Sequence, residues 1–137
     1  MSCIEPFDIG SRYGYSSLVM RNRLESLAKG EDVEIPKNVL VEASEIFDVA
    51  LQSVARPTSR GNTYFLMAHH ITKSLGYSDP ENKMKEFSET MTLLENQTLP
   101  YGRLMELCGF FSRLHEQSEE AASAKILHGK HSPYTYV

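Results

Sequence analysis

The chain has 137 residues, 41% hydrophobic and 23% charged, and a formal net charge of −4. That is the composition of one globular domain large enough for a real core, and not the concentrated basic footprint of a nucleic-acid binder, although a local basic patch fits within an acidic total. No apolar stretch reaches membrane-spanning length, and the N-terminus lacks the charged and apolar regions of a signal peptide, so a cytoplasmic protein is expected. Its two cysteines, Cys3 and Cys108, have no CxxC or Cys/His zinc spacing and read as free thiols in a reducing compartment.

Residues 1–15 form an irregular arm, broken by Pro6, Gly10 and Gly14 and carrying Tyr13 and Tyr15. Ser16 or Ser17 then caps a first helix that ends near Lys29, at Gly30. Its apolar residues Met20, Leu24 and Leu27 recur at helical spacing. After the acidic connector 31–34, Pro36 suits the first turn of a second helix. This helix carries a broad apolar stripe from Val39 to Val54, with Glu42, Glu45 and Asp48 outside it. Pro57 ends it near Arg56, because proline disfavours helical geometry in the residue before it and has no amide to donate.

The stretch 60–76 is expected to be the central helix, capped by Ser59 and closed by Gly76. Its run Tyr64-Phe65-Leu66-Met67-Ala68 is apolar on every helical face, which predicts the most buried segment of the fold. Asp79-Pro80 starts a fourth helix. Met84, Phe87, Met91 and Leu94 form its inner stripe, and Lys83, Lys85, Glu86 and Glu89 are turned away. From Pro100 a last helical pattern carries Leu104, Leu107, Cys108, Phe110, Phe111 and Leu114; it weakens over 116–120 and resumes towards Gly129, as one helix or a broken pair. No window alternates like a strand. The expected fold is all-α: a compact bundle of about five helices over 16–129, in a single domain with irregular arms at 1–15 and 130–137.

Chemistry is sparse. His69 and His70 are adjacent and diverge by about 100° on a helix. Cys108 and His115 share a face two turns apart, so a metal site at His69, Cys108 and His115 requires convergence of two helices. The Glu-x-x-His pairs of di-iron bundles are missing. So are the phosphate-loop and dinucleotide glycine motifs. No cofactor is expected. Arg56, Arg60 and Lys73, joined by Arg12, are the candidate contacts to a nucleic-acid backbone. The second helix instead presents acids that suit a basic protein partner. Gly102, Glu106, Gly109 and Arg113 share one stripe of the last helix, where close approach of another helix or chain would offset the helical cost of two glycines. Tyr13, Tyr15, Tyr134 and Tyr136 flank the helical region and are the candidate partner-binding residues. The functional expectation is a non-catalytic adaptor or assembly subunit acting through a protein partner or self-association. The alternatives are an accessory subunit of a nucleoprotein complex and a metal-dependent bundle enzyme.

Overall fold

The computed structural model describes residues 14–95 and 98–128; of Arg60, Ala121, Ala122 and residues 124–128 it describes the backbone alone. The described chain is all-helical: α1 (Ser17–Ala28), α2 (Lys37–Gln52), α3 (Ser59–Ser74), α4 (Pro80–Leu93) and α5 (Tyr101–His128). Among the described residues there is no strand, and no helix is long and apolar enough to cross a membrane.

Local chemistry sets the helix ends. Ser16 Oγ accepts from Val19 N at the start of α1, and Asp79 Oδ1 accepts from Asn82 N ahead of Pro80 at the start of α4. Gly30 and Gly76 follow α1 and α3 with φ of +82° and +94°, the left-handed region where a Cβ is penalised. Two boundaries differ from expectation. The cap of α3 is Thr58 rather than Ser59, because Thr58 Oγ1 takes the Gly61 amide at 2.9 Å. The regular part of α2 stops at Gln52, and the chain tightens into turns through Arg56. The residues from Tyr101 to His128 form one helix, which decides the question the weak pattern over 116–120 left open.

Three helices meet at a triangle of phenyl rings. Phe47 of α2, Phe87 of α4 and Phe110 of α5 have centroids 5.0 to 5.9 Å apart, and Phe111 meets Phe110 edge-on at 5.3 Å. Such pairs contribute about 0.5–1.5 kcal/mol each beyond burial of their area. On its other side α5 packs against α1, where the Cys108 thiol lies 3.8 Å from the Arg21 carbonyl.

The structure corrects the expected centre. In α3, Tyr64, Ala68, Ile71 and Thr72 are buried, but Phe65 and Met67 are only half-buried and Leu66 is 67% exposed. The buried positions Gly61 to Thr72 occupy an arc of about 100°, at 100° per residue, because α3 lies at the edge of the bundle. The buried positions of α5 from Leu104 to Leu114 occupy about 160° by the same measure, because helices cover it on two sides.

Candidate functional site

Helices α2 and α4 run antiparallel along a polar seam. Lys37 Nζ and Glu95 Oε1 are 3.4 Å apart at one end. In the middle Ser44 Oγ lies 3.3 Å from Ser88 Oγ and 3.4 Å from Thr92 Oγ1, and Ser88 Oγ donates to Asp48 Oδ1 at 2.7 Å. Small hydroxylated residues bring the helices together here and satisfy one another across the contact.

At the other end the seam opens into a groove of about 550 Å³. Asp48, Leu51 and Gln52 line it from α2; Asp79, Glu81, Asn82 and Lys85 line it from the start of α4. Half-buried Leu51 is its one aliphatic lining residue. Three carboxylates against one ammonium make the rim acidic. Exposed Glu45, one turn before Asp48, extends that charge along α2. Such a surface accommodates an aliphatic stem with a cationic head, the chemistry of lysine and arginine side chains.

A second polar cluster ties the α3–α4 turn and α4 to α5. Tyr77 OH donates to Glu106 Oε2 at 2.6 Å, Lys83 Nζ donates to the same oxygen at 3.0 Å and to Glu86 Oε1 at 3.2 Å, and the ammonium sits 4.6 Å from the Tyr77 ring centroid. Burial and the Glu106 carboxylate hold the Tyr77 phenol protonated far above its ordinary range. Burial pushes the Glu106 carboxyl up, but the hydrogen bonds from Tyr77 and Lys83 outweigh it and hold the carboxyl below its usual value. Burial disfavours the Lys83 ammonium, and its bonds to Glu106 and Glu86 again win, raising its pKa. The Lys83 ammonium bridges two carboxylates and Tyr77 adds a third donor bond, so the cluster works as a clasp. Lys83 was expected to face solvent, yet its side chain is only 15% exposed. Spacing within α4 placed it off the apolar stripe, but only α5 supplies Glu106.

The candidate metal residues do not converge. The His69 ring lies tilted against Phe65 with centroids 5.2 Å apart, Cys108 faces α1, and His115 Nε2 is 3.9 Å from Glu119 Oε1 on its own helix. No group of three His, Cys, Asp or Glu side chains among the described residues is placed to hold a metal ion. Burial and nearby Glu25 push the Cys108 thiol up to about 11, which leaves it a weak nucleophile. Of the candidate cations, Arg56 precedes α3 and Lys73 occupies its last turn, about 21 Å along the axis from the first residue of the helix; both are exposed. The Arg60 side chain and Arg12 lie outside the described residues, as do Tyr13, Tyr134 and Tyr136. Tyr15 is half-buried and packs on the core beside α1, the position of a residue that covers its own bundle. On the glycine stripe, a Cβ on Gly102 would meet nothing within 4 Å, and one on Gly109 would make an ordinary 3.8 Å contact with Leu75.

Sequence reading missed Gly61, where a Cβ would come within 2.8 Å of both Ser53 Cβ and Thr58 Oγ1. It also missed the groove, although the acidic character of α2 was the signal nearest to it. Compared with known proteins, the chain matches no family model, no curated protein and no solved structure.

Proposed function

We propose that this protein is a small helical adaptor or assembly subunit without catalysis of its own, and that the α2–α4 groove docks a basic segment of its protein partner. One observation carries the reading: a groove at the end of the helix seam lined by three carboxylates, one ammonium and half-buried Leu51. The rim attracts cationic side chains and repels phosphate, which favours a protein partner over a nucleic-acid backbone. The two described candidate cations, one before α3 and one in its last turn, form no cluster with each other, which supports this preference.

The test is amide chemical-shift mapping of the full chain with two short peptides, one alternating lysine with leucine and one alternating glutamate with leucine. The lysine peptide should shift the amides around Asp48–Gln52 and Asp79–Lys85, more strongly at low than at physiological salt. The glutamate peptide should leave them in place. Equal shifts from both peptides, or none from either, would refute the reading.

A further inference from the structure

The chain itself contains a segment of the chemistry this groove takes. Residues 121–137 include Lys125, His128, Lys130 and His131 and no Asp or Glu. Their two lysines leave the rest of the chain at a formal −6 within the total of −4. Beyond α5, residues 129–137 combine Lys130 with Pro133, Tyr134 and Tyr136, a cation close in sequence to apolar and aromatic side chains. The groove has the complementary composition: Leu51 and the carboxylates of Asp48, Asp79 and Glu81 all line it.

Resting on the function proposed above, we infer that residues 129–137 of one copy dock in the α2–α4 groove of a second copy. Reach decides between the same chain and another. Glu106 of α5 lies beside Lys83, at the level of the groove's α4 wall. From residue 106 to the end of α5 the helix advances about 33 Å at 1.5 Å per residue. The nine residues beyond it span at most about 32 Å when fully extended. Folded back along their own bundle, residues 129–137 therefore only just return to that level and cannot themselves lie in the groove. A second copy carries no such constraint. Because the groove and the tail are different surfaces, the contact is head-to-tail, and each copy keeps one free groove or one free tail unless a ring closes.

The experiment is sedimentation equilibrium of the full chain across concentration and salt, with variants that reverse one surface at a time. The groove variant carries Glu45→Lys and Glu81→Lys, which spare Asp48 and Asp79 with their structural hydrogen bonds; the tail variant carries Lys130→Glu and His131→Glu. Circular dichroism melts check that each variant stays folded. Wild type should self-associate with a mass that grows with concentration, and each variant should weaken this by about tenfold or more. At concentrations where wild type just associates, neither variant should associate alone, yet an equimolar mixture should give a heterodimer, since one supplies an intact tail and the other an intact groove. A wild type that stays monomeric at low salt, a folded variant that associates as wild type does, or a mixture that stays monomeric would each overturn the inference. The lysine–leucine peptide separates the two readings: groove shifts in a chain that does not self-associate sink the second-copy occupant alone, and no shifts sink both.

Discussion

Helices α3 and α5 both contain runs that are strongly apolar in sequence, and the structure treats them differently. In α3 the run 64–68 buries Tyr64 and Ala68 and leaves Leu66 67% exposed. In α5, Leu104, Leu107, Cys108, Phe110, Phe111 and Leu114 are all buried. The difference is the number of covered sides. α5 takes α1 on one side and the Phe47 and Phe87 rings on another; α3 rests chiefly on α2, with α4 beside it. Local hydrophobicity states how much surface a segment can usefully bury. The neighbours determine how much it does bury.

The sharpest test of this contrast is a pair of truncations. Phe110→Ala should cost about 3–5 kcal/mol, as loss of a fully buried ring does, whereas Leu66→Ala should stay within about 0.5 kcal/mol. Urea midpoints at equal m-values measure both. A costly Leu66 variant beside a tolerated Phe110 variant would reverse the assignment of centre and edge. Phe65→Ala and Met67→Ala should fall between these extremes, since both side chains are half-buried.

The same contrast extends to glycine. Gly61→Ala at the head of α3 pushes a methyl into Ser53 and the capping Thr58, and should destabilise by about 1–3 kcal/mol. Gly102→Ala in α5 meets open space and should stabilise by up to about 1 kcal/mol through helix propensity alone. Thermal melts of the two variants should move in opposite directions. If Gly102→Ala stabilises the monomer but weakens self-association, the glycine serves close approach of another chain.

A smaller effect separates the clasp from ordinary surface charge. The Glu106 carboxyl is held below its usual value in the fold. A depressed carboxylate contributes stability that is fully present above its unfolded pKa and disappears as pH falls through the lower folded one. The stability difference between wild type and Glu106→Gln should therefore be constant near neutrality and shrink once pH falls below about 4.5. Unfolding curves recorded from pH 7 downwards measure it. Tyr77→Phe removes the phenolic donor and should cost about 1 kcal/mol at neutral pH, less than the ~1.5–3 kcal/mol of a hydrogen bond to a charged group because the pair is partly exposed. A gap for Glu106→Gln that widens in acid would mean the carboxylate is strained in the fold rather than stabilised.

The helices themselves were legible in the sequence because their signals are local. Ser16, Asp79-Pro80, Gly30 and Gly76 act within one turn of where they stand, and Met20, Leu24, Met84 and Phe87 mark inner faces at steps of three and four. That suffices for an all-α fold and for four of its inner stripes. The candidate site depends on pairs far apart in the chain: Asp48 with Ser88, Lys83 with Glu106, Leu51 lining one groove with Glu81, Gly61 against Ser53. Helical periodicity places each of these residues on a face of its own helix and carries no information about which helix lies opposite. Only the packing of α2 on α4 and of α5 between α1 and the phenyl rings supplies that. It follows from fitting side-chain volumes of several helices around one core, a property of the assembled set that no single segment contains.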